Sequence, residues 1–233
     1  MGVTIEEARD LVADAALWPR MRDFLWDFAP QVHSSWIEGL ERGPSGEAPE
    51  GGPSGIRVAS LMSSPRVRRF VLQELGVEPC FHAFPKEDWS RLLLLDGATL
   101  ESMVKWLGAI ALSEELRRVM DGKTVRGLKG SLRGVYPEVF AYTAYFKGID
   151  FRGKGAKPQE DCIAGGETVV RKGASIVACV LSGVPEPLVS RLWLKLPKDL
   201  GAVEPLHMKP EASRKALAKL LKLKFPEAYS LCC

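Results

Sequence analysis

The chain has 233 residues, of which 46% are apolar and 26% charged, and a formal net charge of +3. That length can bury a sizeable core without a metal or disulfide, and the balance argues against wholesale disorder and against a surface built to wrap nucleic acid. No apolar run approaches the roughly 20 residues that cross a bilayer.

The opening stretch, "MGVTIEEARDLV", puts acids where an export signal would carry positive charge, and position six is Glu6 where a myristoylation signal needs Ser or Thr. Cys80, Cys162, Cys179, Cys232 and Cys233 are odd in number and irregularly spaced, so they read as reduced cytosolic thiols.

In chain order, Thr4 and Glu7 form a capping box that starts a helix to about Leu17, and Pro19 stops it. Met21, Phe24, Leu25 and Phe28 then suggest a second short helix ending near Pro30, with Trp18, Trp26 and Trp36 expected to anchor this region to the core. Residues 43–55, "GPSGEAPEGGPSG", are nearly all turn and linker residues and read as a flexible loop. Ser64 before Pro65 is a capping residue before a first-turn proline, so a helix should run from there to Gly76.

After Asp96-Gly97, the residues Leu100, Met103, Val104, Leu107, Ala111, Leu112, Leu116 and Val119 mark one face of a long helix to about Met120. Gly108 lies on that face, where a glycine costs about 1 kcal/mol unless a neighbour comes close. Asp121-Gly122 is expected to close this helix. Thr124, Val125, Leu128 and Leu132 propose a second, weakened by Gly127 and Gly130, and Pro137 with Glu138 starts a third through Phe140 and Phe146. The expected arrangement is three antiparallel helices joined by short turns.

Residues 148–166 read as a second flexible loop. Val169–Leu181 is compatible with a helix or a buried strand, and its charged lead-in favours the helix. In "RLWLKLP" the leucines Leu192, Leu194 and Leu196 alternate with Trp193 and Lys195, the period of a half-buried strand near residues 188–197. A final helix should start at Pro210 and run through Lys224. The expected fold class is mainly α, a single compact helical domain over residues 1–233 with at most that one short β element.

The chemistry on offer is thin. Gly122-Lys123-Thr124 ends like a phosphate-binding loop, but the earlier glycine position holds Arg117 and no buried strand precedes it, so a nucleotide site is not expected. Cys80 and His82 lack a second pair of zinc ligands. A thiol hydrolase using Cys80 or Cys179 with a distant histidine has no local signature, and the pairs Glu6-Glu7 and Glu114-Glu115 read as solvated faces. The reading is therefore not an enzyme, with no cofactor, no metal and no small-molecule substrate.

Basic residues gather instead. Arg117, Arg118, Lys123, Arg126, Lys129 and Arg133 surround one helix-helix corner, and Arg117, Arg118, Lys123 and Arg126 are the candidate partner-binding residues. A helix-turn-helix reader of DNA is the alternative for the corner spanning Arg117–Arg133, although Gly127 and Gly130 make a poor recognition helix.

The segment Trp89–Gly134 resembles the SctK family, also called the YscK or OrgA/MxiK group, of bacterial type III secretion systems. The likeness lies in the leucine run, Leu107-Gly108, Ala111-Leu112, Arg117-Arg118-Val119, Val125 and Leu128, followed by the aromatic Val139-Phe140-Ala141-Tyr142. "RLWLKLP" looks like that family's C-terminal Leu-Lys-Leu-Pro segment. The resemblance implies a cytoplasmic, mainly helical, non-enzymatic adapter of the sorting platform. Its partners would be an SctQ-type pod protein and the cytosolic domain of an SctD-type inner-membrane ring protein. Such a protein binds no nucleic acid and sits at the cytoplasmic face of the inner membrane through protein contacts.

Overall fold

The computed structural model describes residues 17–42, 61–78, 84–85, 89–151, 165–200, 203 and 208–233. The expected helix before Leu17, the 43–55 loop, Cys80, His82, Cys162, His207 and most of 148–166 lie outside the described residues. In chain order the helices are α1 (Leu17–Trp26), α2 (Ser34–Arg42), α3 (Pro65–Glu74), α4 (Gly97–Ala111), α5 (Ser113–Arg118), α6 (Gly122–Ser131), α7 (Val139–Tyr142), α8 (Gly166–Val180), α9 (Glu186–Leu194), α10 (Pro210–Lys224) and α11 (Pro226–Cys232). Short 3-10 turns cover Ala29–Gln31, Ser90–Leu94, Thr143–Phe146 and Lys198–Leu200. The described residues contain no strand, and the fold is mainly α as expected. They divide into two compact units, Met1–Gly97 with Val184–Asp199 and Ala98–Gly183 with Leu200–Cys233.

In the first unit, α1 carries Pro19 in its first turn, where no backbone N–H is required, and buries Leu17, Met21, Phe24 and Leu25. The ring of Phe24 meets those of Phe28 and Phe84 edge-on, with centroids 5.5 and 5.7 Å away. The tryptophans divide in role. Trp36 donates its indole N–H to the Leu196 carbonyl at 2.9 Å, whereas Trp26 is 58% exposed and leans on Trp18. Trp26 is therefore not a core anchor: its place one residue past the buried Leu25 turns it off the apolar face of α1.

Helix α3 follows its punctuation closely. Ser64 is the extended N-cap before Pro65, and Gly76 (φ +66°) ends the helix, donating to the Gln73 carbonyl while Val77 donates to Leu72. These two bonds satisfy carbonyls that the helix end would leave open, and they need the left-handed conformation that glycine takes without cost.

The short strand expected near residues 188–197 is instead the helix α9, with Pro187 in its first turn. Leu188, Arg191, Leu192 and Lys195 are all buried, a spacing of three, four and seven that is the helical period. Two of those four positions carry cations, so a hydrophobicity pattern passes over the stripe and sees only the alternating leucines.

Both cations are held by backbone carbonyls, although the buried Arg191 Nε makes no hydrogen bond. Arg191 Nη1 donates to the carbonyls of Phe24 and Leu25 at 2.7 and 3.1 Å, and Nη2 donates to that of Glu78. Lys195 Nζ donates to the carbonyls of Leu93 and Leu95 at 2.6 and 2.8 Å and lies 4.9 Å from the Phe24 ring centroid. Arg191 thus closes the C-terminal end of α1 and Lys195 that of the Ser90–Leu94 turn, where backbone carbonyls carry partial negative charge. Burial pushes the Lys195 ammonium down to about 7, against the pull of the Asp96 carboxylate, which raises it.

In the second unit, α10 packs on α8 and α11, and α8 also meets α6. The core holds Leu100, Val104, Leu107, Ile176, Leu217 and Leu220. The close approach that Gly108 calls for is real. A Cβ on Gly108 would lie 1.8 Å from the Val169 carbonyl oxygen, and one on Gly173 would lie 1.9 Å from that of Val104. Helices α4 and α8 therefore cross backbone to backbone at a pair of glycines. The Val169–Leu181 segment is helical, as favoured, and α10 runs from Pro210 to Lys224 as expected.

The long helix expected to reach Met120 is broken at Leu112 (φ −103°, ψ 19°), and α5 begins at Ser113. Ser113-Glu114-Glu115 is a helix-start signature, with carboxylates in the first turn, that the continuous apolar face conceals. Asp121-Gly122 likewise opens α6 and does not close the helix before it. The Asp121 carboxylate accepts from the Thr124 N–H and hydroxyl, each at 2.7 Å.

Candidate functional site

Among the described residues no group of His, Cys, Asp and Glu is arranged to hold a metal ion. No described helix is long and apolar enough to cross a membrane. Cys179 is buried and its Sγ points at the Met208 carbonyl, 3.4 Å away. The His33 ring accepts from the Ser35 N–H through Nδ1 at 3.2 Å, at the start of α2. Each group therefore has a structural partner.

The basic corner is built by the ends of α5 and α6. Arg117 and Arg118 occupy the last turn of α5, Lys123 and Arg126 the first turns of α6, and all four are exposed. None of them forms an ion pair among the described residues. Arg117 is braced: its Nη2 donates to Thr143 Oγ1 at 3.1 Å and its guanidinium lies 5.4 Å from the Phe140 ring centroid. Arg118, Lys123 and Arg126 are left to solvent. Between the two helices stands Met120, 92% exposed, an apolar side chain in the middle of the cationic group. Sequence reasoning placed Met120 at the end of one long helix, which the structure breaks at Leu112.

The α6 cap holds this corner in shape. The Thr124 hydroxyl, then the backbone N–H groups of Thr124 and Lys123, hold the Asp121 carboxyl below the usual carboxylate range, outweighing the small effect of burial that raises it. A lowered carboxylate stabilises the fold above its unfolded pKa, and the contribution fades as pH falls through the lowered native value. Asp121→Ala should therefore melt below wild type at neutral pH in thermal circular dichroism, and the gap should close in strong acid.

Lys224, on α10, is held between the rings of Tyr142 and Trp106, with centroids at 4.1 and 4.4 Å, and pairs with Glu138 at 3.2 Å. Burial lowers its pKa, but the bonds to Tyr142 and Glu138 outweigh that and raise it. This cation is committed to the fold and is not available to a partner.

A second surface, not found by sequence reasoning, lies in the first unit. A cleft of about 530 Å³ opens between the indoles of Trp36 and Trp193, floored by Leu75, Val77 and Leu194. The exposed Glu74, Glu78 and Glu186 stand at its edge, outside any ion pair among the described residues.

A model of the family described as YOP proteins translocation protein K (YscK) matches residues 32–145. No curated protein and no solved structure gives a significant match. The matched stretch includes α2, α3, α4 and the whole basic corner on α5 and α6. Residues 32–145 are thus similar to the YscK family, the SctK family of type III secretion.

Proposed function

We propose that the protein is a non-enzymatic adapter of the type III sorting platform, acting in the cytoplasm at the inner face of the inner membrane. It links the cytosolic domain of an SctD-type ring protein to an SctQ-type pod protein. The observation that carries this reading is the family match over residues 32–145, which encloses the exposed cations Arg117, Arg118, Lys123 and Arg126. Arginine and methionine are enriched in protein interfaces, and the corner offers both around Met120. Cys179 and His33 are each engaged in a structural hydrogen bond.

The test is a binding titration against the pod protein and the ring-protein cytosolic domain encoded with this chain. Arg118→Glu combined with Lys123→Glu and Arg126→Glu should weaken one of the two interactions by roughly tenfold or more, since each reversed contact costs a fraction of a kcal/mol to several. Arg117 is left intact because it braces Thr143 and Phe140. Wild-type protein that binds neither partner, but binds duplex DNA with an affinity falling steeply as salt rises, would replace the adapter with a nucleic-acid reader.

A further inference from the structure

We propose that the cleft between Trp36 and Trp193 is a docking groove for a segment of a partner protein that presents an arginine or lysine beside apolar side chains. The groove joins apolar and aromatic lining to exposed carboxylates, the mixture found in a protein interface. Its two indoles are wide, rigid contact surfaces that also attract cations through their ring faces.

The edge chooses the sign of the ligand. Glu74, Glu78 and Glu186 all stand there without an ion pair among the described residues, and α3 has no basic residue in its last turn to answer the negative end of its dipole. Arg191 lines the groove, but its guanidinium donates to the carbonyls of Phe24, Leu25 and Glu78, so it is turned toward the protein. Lys198 lies 5.7 Å from the Trp36 ring centroid and is a further cation beside the groove. Three carboxylates against the inward-turned Arg191 and one exposed lysine leave the groove net negative and complementary to a cationic segment. This surface belongs to the first unit and the basic corner to the second. The inference therefore stands or falls separately from the contact proposed for Arg118, Lys123 and Arg126.

The experiment is a nitrogen-15 NMR titration of the full chain, following the indole resonances of Trp36 and Trp193, each assigned by its Trp→Phe substitution. The probes are the synthetic peptide acetyl-Ala-Leu-Arg-Leu-Leu-Lys-Ala-amide and its counterpart with Glu in place of Arg and Lys. The expected result is that the basic peptide shifts both indoles saturably and the acidic one does not. The double variant Glu74→Lys with Glu186→Lys, both exposed, should weaken the basic peptide roughly tenfold, the sum of two or three modest charge pairs. The proposal is overturned if the basic peptide leaves both indoles unmoved at millimolar concentration, if the acidic peptide binds as well, or if the charge reversals change nothing. Indole shifts that follow protein concentration without peptide would assign the groove to a second copy of the chain and equally overturn it.

Discussion

Gly108→Ala is expected to destabilise the second unit by about 3 kcal/mol or more, read as a fall in the urea midpoint. The added methyl would sit 1.8 Å from the Val169 carbonyl oxygen, and that oxygen is part of the α8 backbone, so no rotamer change can relieve it. Either α4 and α8 separate, losing packing along their whole contact, or the α8 helix deforms. Gly173→Ala makes the reciprocal clash with Val104 at 1.9 Å and should cost a similar amount. The double variant should cost clearly less than the sum, because helices already pushed apart by the first methyl have room for the second. The internal control is Gly127→Ala or Gly130→Ala in α6, where a Cβ meets nothing within 4 Å. Those changes should stabilise by about 0.5–1 kcal/mol, the ordinary helix preference for alanine. Additive losses at Gly108 and Gly173, or tolerance of either alanine, would refute the backbone crossing.

The second large effect belongs to the buried cations of α9. Arg191→Met should cost about 3 kcal/mol, since it leaves the buried Phe24 and Leu25 carbonyls without their donor and the half-buried Glu78 carbonyl without its own. Lys195→Met should cost less, because removing the lysine also removes the penalty of holding an ammonium away from water. The two residues differ further in pH response. The native Lys195 pKa of about 7 lies below the ordinary lysine value, so between neutrality and pH 10 the unfolded chain binds the extra proton. Stability therefore rises with pH across that window. Below it the full cost of burying the charge is present. From pH 7 to 9 the wild type should gain about 2 kcal/mol relative to Lys195→Met, the product of nearly two pH units and about 1.4 kcal/mol per unit. Parallel urea midpoints for the two proteins across that range would show that Lys195 keeps an ordinary pKa, and the burial argument would fail.

Positions where the local chain is its own judge were readable in advance. Ser64-Pro65 with Gly76, and Pro210 at the head of a Leu and Ala stripe, impose helix ends through φ angles and missing N–H groups that no distant residue needs to supply. Gly108 on an apolar face announced a close neighbour, although not that the neighbour would be another glycine, Gly173. Where two local signals competed, the reading failed. At Leu112 a continuous apolar face hid a new helix start, and at Asp121 a turn-like Asp-Gly hid an N-cap completed by Thr124.

The mainly helical class, the helix starts at Pro65 and Pro210 and the likeness to the SctK family were legible in the residues alone, because capping, proline geometry and apolar period act over a few positions. That residues 186–194 form the helix α9, and that Arg191 and Lys195 are buried, emerges from the packed chain. Their burial depends on carbonyls of residues 24, 25, 78, 93 and 95, roughly a hundred residues or more away in the chain. The tertiary structure decided equally that Trp36, the end of α3 and the face of α9 enclose one cleft. A cation reads as a surface residue until the chain folds to bring it the acceptors that replace water, and that replacement is a property of the packed molecule.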